Sequence, residues 1–221
     1  MRNYVIFTCC LALVGLLPIT ASAGSHGLAL KGSTLGGGVE YEGTLGDYLG
    51  LRLGVNYLQF GTDFTAGDIN YDADFNLQTA SGLIDWYPLA GAFRVTAGVM
   101  LNGNDADISA SPAAPVKIGD VVYNPQMVGS LDGSVNFNDI APYAGIGWSS
   151  GRGNQAGLSV AFDIGVLFQG APSIDNYHAT GPLAGNPAFE AQLAKEVAKV
   201  EDELDPYQYY PVVALTLTYR F

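Results

Sequence analysis

Between Leu49 and Tyr57 every second residue is bulky and apolar: Leu49, Leu51, Leu53, Val55 and Tyr57 alternate with Gly50, Arg52, Gly54 and Asn56. A period of two means an extended strand with one greasy and one polar face. A water-soluble, half-buried strand can show the same pattern, so repetition decides. Phe93–Asn102 repeats it, with Phe93, Val95, Ala97, Val99 and Leu101 opposing Arg94, Thr96, Gly98 and Asn102. In Leu158–Gln169, Leu158, Val160, Phe162, Ile164, Val166 and Phe168 oppose Ser159, Ala161, Asp163, Gly165 and Gln169. In Val212–Phe221, Val213, Leu215, Leu217, Tyr219 and Phe221 face outward and Thr216, Thr218 and Arg220 inward.

Three segments are less regular. Leu35–Glu42 sets Leu35, Val39 and Tyr41 against Gly36, Gly38 and Glu40. Phe75–Tyr87 begins with Phe75 and Leu77 outward; a change of phase at a bulge then turns Asp85 inward. Val135–Trp148 breaks near Asp139-Ile140. Leu28–Lys31, although short, supplies an eighth strand. Connections alternate between short (43–47, 89–92, 149–156) and long (about 61–74, 103–134 and 170–209). Short periplasmic turns and long external loops are the outer-membrane arrangement. The expected fold is all-β: an antiparallel, up-and-down transmembrane barrel of eight strands over 24–221, with one helix in a long external loop.

Residues 1–23 read as a secretory signal, with Arg2 at its start, an apolar run from Val5 to Leu17, and Ala21-Ser22-Ala23 as cleavage site. Cys9 and Cys10 both lie in it, so neither a disulfide nor a thiolate metal site is expected afterwards. Cleavage removes Arg2 and no other charged residue, taking the net charge from −12 to −13. Such a chain repels nucleic acid, whose binding rests on cationic contacts. No later segment has 18 consecutive apolar residues. A chain that crosses a membrane without such helices must close its strands into a ring.

Charged residues are 14% of the chain, against about a quarter in soluble domains, and several fall on inward faces. Of the four arginines after residue 23, Arg52, Arg94 and Arg220 point inward, as do Glu40, Asp85 and Asp163. Opposite charges on neighbouring strands of a narrow barrel pair, because buried charge is tolerated only when matched. The pairs serve as a structural plug of the lumen or as the lining of a narrow selective pore. Tyr48, Tyr57, Phe60, Trp86, Tyr87, Phe93, Tyr143, Trp148, Phe168, Tyr209, Tyr210, Tyr219 and Phe221 lie near strand ends, where barrels carry interfacial girdles.

The chain ends on Tyr219-Arg220-Phe221, preceded at alternate positions by Leu217 and Leu215. Together these look like the C-terminal signal read by the outer-membrane assembly machinery. Lys31-Gly32-Ser33-Thr34-Leu35-Gly36, Asp85-Trp86-Tyr87-Pro88, Ala141 to Trp148, Phe162 to Gly170, and Tyr209-Tyr210-Pro211-Val212-Val213 resemble small outer-membrane barrels of the OmpA/OmpW-like superfamily. The resemblance implies fold and location; it transfers no catalytic or binding residue. A soluble peptidoglycan-binding domain like the one full-length OmpA carries is not expected here.

Asn186 and Pro187 open a helix over 188–204, with Phe189, Leu193, Val197, Val200 and Leu204 as its apolar stripe. It is expected to pack on the rim, close the mouth or bind a partner. Asp68, Asp72 and Asp74 have a spacing reminiscent of a calcium loop but lack its glutamate and central glycine, so no metal is expected. Ser173, Asp175 and His178 lie close in sequence, but triads are made by geometry, so no enzyme is expected. The sequence reads as a monomeric structural or interaction barrel without a cofactor, surrounded by outer-membrane lipid and lipopolysaccharide. The alternative is a narrow porin or OmpW-like conduit for small or hydrophobic solutes.

Overall fold

The computed structural model describes residues 26–151 and 156–221; the expected signal peptide lies outside them. The elements are β1 His26–Ser33, β2 Gly36–Leu45, β3 Leu49–Ala66, β4 Ile69–Trp86, β5 Phe93–Asn102, β6 Asp105–Pro112, β7 Val116–Ile118 and β8 Val121–Tyr123. There follow α1 Pro125–Val128, β9 Leu131–Asn136, β10 Ile140–Ser149, β11 Gly157–Phe168, β12 Ser173–Ala179, α2 Pro187–Leu204 and β13 Tyr209–Arg220.

Eight strands form a closed antiparallel ring in the order β1, β2, β3, β4, β5, β10, β11, β13 and back to β1. The short N-terminal segment closes it, with Leu30 opposite Val39 of β2 on one side and Leu217 of β13 on the other. Closure leaves the ring itself without an edge, so its backbone groups are satisfied without water. The outer wall is apolar and exposed, carrying Leu28, Leu30, Val39, Val99, Ile146, Leu158, Val160, Phe162, Leu215 and Leu217. The inner wall carries Lys31, Glu40, Glu42, Arg52, Asp85, Arg94, Thr96, Asp163, Thr216, Thr218 and Arg220, all buried.

Segments expected as loops hold more strand than their sequences suggested. β3 and β4 continue past the ring as one hairpin to a turn at Gly67, whose φ is +59°. There β4 exchanges β5 for β6, and β9 and β12 extend the sheet outward. The break at Asp139-Ile140 is therefore a change of place: β9 belongs to this projecting sheet and β10 to the ring.

No bulge interrupts β4. Its register with β3 is continuous from Leu49↔Trp86 to Ala66↔Ile69, so Phe75 and Leu77 share a face with Asp85. What changes phase is the environment. Below Tyr57 the outward face of β3 is apolar; above it that face carries Gln59, Gly61, Asp63 and Thr65, while Leu58, Phe60 and Phe64 take the face continuous with the lumen. Phe75 and Tyr71 stack on Phe60 and Phe64 with ring centroids 4.9 and 5.1 Å apart. In the projecting sheet water meets the outer surface, so polar and apolar sides exchange without any slip of the backbone.

Leu35, expected outward, is fully buried in the barrel interior. It follows Ser33, whose Oγ accepts from Leu35 N (3.2 Å) and donates to Gly36 O (3.1 Å), and this tight turn folds the side chain in. Tyr143 and Tyr87 are also buried rather than in a girdle. Tyr210 packs on the interior cluster, and its hydroxyl donates to Thr34 O at 2.7 Å.

Helix α2 starts at Pro187, and Asn186 caps it by accepting from the N–H groups of Ala188 and Phe189 (3.0 and 3.3 Å). Phe189 and Leu193 join Ile118, Val128 and Ala179 in a second small core outside the ring. The helix also holds the β7–β8 hairpin: Glu196 accepts from Gly119 N (3.0 Å), Gln192 from Asp120 N (2.9 Å), and Lys195 pairs with Asp120 (2.8 Å). It therefore lies outside the lumen.

Candidate functional site

The bore is occupied by charge. Arg52 Nη2 donates to Asp85 Oδ1 (2.9 Å) and Thr96 Oγ1 (3.1 Å), and Arg52 Nε lies 2.8 Å from Asp85 Oδ2. Arg52 Nη1 donates to Glu40 Oε1 (3.3 Å) and reaches Asp163 Oδ2 at 3.5 Å. Since β3 and β11 are four strands apart in a ring of eight, that contact crosses the bore. Arg94 grips Asp163 with two donors, Nε to Oδ1 (3.0 Å) and Nη2 to Oδ2 (2.7 Å), and its Nη1 lies 3.7 Å from Asp85. Lys31 Nζ closes the set on Glu40 at 3.2 Å.

Three cations thus face three carboxylates, and none of the six side chains is more than 5% exposed. Two-pronged guanidinium–carboxylate bonds are the strongest neutralisation available to buried charge. A further pair sits nearer the chain ends: Arg220 Nη2 donates to Glu42 Oε2 (2.9 Å), Glu42 Oε1 accepts from Thr218 (3.0 Å), and Arg220 donates also to the carbonyl of Gly151.

Gly147 makes the central clamp possible. It lies between Arg94 and Asp163 in the ladder, and a Cβ there would sit 2.2 Å from Asp163 Oδ1 and 3.0 Å from Arg94 Nε. Gly165 serves Tyr143 in the same way, because a Cβ on it would stand 2.3 Å from the tyrosine hydroxyl. Leu35, Leu83, Met100, Ala141, Tyr143, Leu167 and Val212 form an apolar cluster that fills the interior beside the charges.

All six inward charges expected from the sequence, Glu40, Arg52, Asp85, Arg94, Asp163 and Arg220, are therefore buried on the inner wall, each within ion-pairing distance of an opposite charge. Sequence reading missed Lys31 and Glu42. Glu42 shares the parity of Glu40, which is the available signal; Lys31 ends the short eighth strand Leu28–Lys31, whose four residues give too little alternation to assign it a face. Leu215, Leu217, Tyr219 and Phe221 all face outward at the end of β13.

The other candidates do not assemble. Asp175 accepts from Asn136 (3.2 Å), while His178 faces Asp132 at 3.7 Å and its Nδ1 contacts Asn176 O. Asp72 lies opposite Asp63 across the hairpin, and a hydrogen bond shared with the Asp63 carboxyl, then its charge, raise the Asp72 pKa. Asp72, Asp74, Asp107, Asp132 and His178 line an acidic hollow of about 380 Å³ on the outer face of the projecting sheet. Among the described residues no group of three or more His, Cys, Asp or Glu is arranged to hold a metal ion.

An apolar belt outside, a neutralised polar filling inside and a ring without edges define a membrane-spanning eight-stranded β-barrel. Two solved structures are similar. Acinetobacter baumannii CarO2 aligns over 89% of this chain and 98% of its own, with a TM-score of 0.61 and 22% identity. Acinetobacter baumannii CarO aligns over 88% and 97%, with a TM-score of 0.57 and 22% identity. At this identity the likeness is one of fold. No protein-family model matches the chain, and no curated protein matches it.

Proposed function

We propose that this protein is an outer-membrane barrel, exported through a cleaved signal at residues 1–23, whose sealed bore anchors a rigid sheet on the cell exterior. The observation that carries the reading is the ion-pair lattice: contributions from six of the eight ring strands meet in the bore, with cations and carboxylates in equal number. A conducting pore needs mobile ions to pass fixed charges. Here each fixed charge is already held by another, and eight strands leave an interior that side chains fill. The short turns face the periplasm, which puts α2 and the projecting sheet outside, among lipopolysaccharide. The alternating Leu215, Leu217, Tyr219 and Phe221 serve as the assembly signal, and the barrel acts as a monomer.

The test is conductance of the refolded protein in a planar bilayer. The wild-type chain should be silent, and Arg52→Ala or Arg94→Ala should introduce openings by removing a side chain that crosses the bore. Steady openings of the wild type would replace this reading with that of a narrow conduit for small or hydrophobic solutes.

A further inference from the structure

The upper part of β3 is a sheet edge that no other strand covers among the described residues. β2 pairs with β3 only as far as Gly37↔Tyr57, whereas β3 runs on to Ala66, paired with β4 alone. Residues 58–66 are all exposed. The opposite edge of the projecting sheet is guarded: Glu201 on α2 accepts from Ile174 N of β12 at 2.8 Å. Bare edges are templates for further pairing, and proteins usually blunt them with proline, lysine or a covering element. Among the described residues this one has none of those devices.

The bonding groups of that edge can be assigned. The carbonyl of Tyr57 points at Gly36 of β2, and Gln78, its partner on β4, bonds away from β3 to Gly103 and Asn104. Within an antiparallel ladder the N–H and C=O of a residue point to the same side and alternate along the strand. Gln59, Gly61, Asp63 and Thr65 therefore direct their backbone groups to the open side.

The two faces beside the edge differ in chemistry. One carries Leu58, Phe60 and Phe64, which are 38, 44 and 50% exposed. The other carries Asp63 opposite Asp72, with Asp74 next to it on β4. A second copy in the same membrane does not fit. Its β3 would run upward beside this one rather than antiparallel to it, and would oppose acid to acid. We infer that the open edge of β3 receives an extended peptide segment running antiparallel to it, with apolar side chains over Leu58, Phe60 and Phe64 and cationic ones over Asp63, Asp72 and Asp74. Strand addition of this kind draws affinity from main-chain bonds and selectivity from alternate side chains. The inference rests on the sheet standing in water outside the barrel, and so on the display role proposed above.

The experiment uses the full chain in lipid nanodiscs and a fluorescent synthetic peptide, of the length of the open edge, that alternates valine with lysine. Fluorescence anisotropy should show saturable one-to-one binding, and hydrogen exchange at Gly61, Asp63 and Thr65 should slow in the complex. The same peptide N-methylated on the residues facing β3 should bind about tenfold more weakly or worse, having lost main-chain donors. Asp63→Lys should weaken the unmodified peptide by a similar factor. Equal binding of the N-methylated peptide, equal binding of a valine–glutamate peptide, or no saturation would overturn the inference. Conductance separates the two proposals: a barrel that conducts and still binds the peptide refutes the sealed bore and leaves the edge site standing.

Discussion

Asp163→Asn is the substitution that loads the bore most directly. The wild-type carboxylate takes two hydrogen bonds from Arg94, at 3.0 and 2.7 Å, and lies 3.5 Å from Arg52. Without its charge Arg94 keeps only Asp85, at 3.7 Å. Removing one member of a buried ion pair costs about 3–5 kcal/mol, chiefly because the partner stays buried and unmatched. Asparagine retains one acceptor oxygen, which places the loss near the lower end, about 3 kcal/mol. If mismatch is the cause, adding Arg94→Met to Asp163→Asn should recover most of that loss, giving a coupling of roughly 2 kcal/mol or more. Urea titration in detergent micelles, followed by the fluorescence of Trp86 and Trp148, measures all four corners of the cycle. Because the pair is shielded from solvent, about 1 M salt should leave the coupling intact although it shortens the screening length to roughly 3 Å. Additive single effects, or an Asp163→Asn loss below about 0.5 kcal/mol, would refute the view that the lattice is a matched, buried unit.

Gly147→Val should destabilise the barrel by about 3 kcal/mol by driving a side chain into the Arg94–Asp163 clamp, whereas Gly32→Val, with nothing within 4 Å of its Cβ, should stay within about 0.5 kcal/mol; the same urea titration checks both. In the projecting sheet, the pKa of Asp72 is raised by its hydrogen bond with Asp63 and by the Asp63 charge. A carboxyl whose folded pKa lies above its unfolded value lends stability that is present at low pH and lost as pH rises through the folded pKa. Amide exchange across residues 69–76, corrected for its intrinsic pH dependence, should therefore show greater protection below the carboxylate range than at neutral pH. Asp63→Asn should flatten that difference; an unchanged difference would remove Asp63 as its source.

The ring strands were legible because a wall between lipid and a polar lumen makes side-chain identity alternate as strictly as backbone direction. Arg52, Arg94 and Asp163 stood out for the same reason, each being a charge between two apolar neighbours. In β4 the rule failed instructively. Its apolar residues move from even to odd-facing company at the top of the ring, and in one dimension that looks identical to a bulge. Only the unbroken pairing of β3 with β4 separates a change of surroundings from a change of register. β6, β9 and β12 escaped because Asp, Ser, Gly and Asn dominate their water-facing positions, a composition shared with turns. The partners of each charge were not legible at all. That Arg52 reaches both Asp85 next door and Asp163 across the bore depends on stagger between strands far apart in sequence.

The exchange of faces between Tyr57 and Leu58 also acts as a depth gauge. Two residues higher, the outward side chain is Gln59 rather than Tyr57, so sinking the barrel by a single alternation drags amide and then carboxylate into hydrocarbon, while raising it strips lipid from tyrosine and valine. Vertical position in the bilayer is thus written into the parity of one hairpin, and a chain whose backbone runs straight through the water line carries its own mark of where that line must fall.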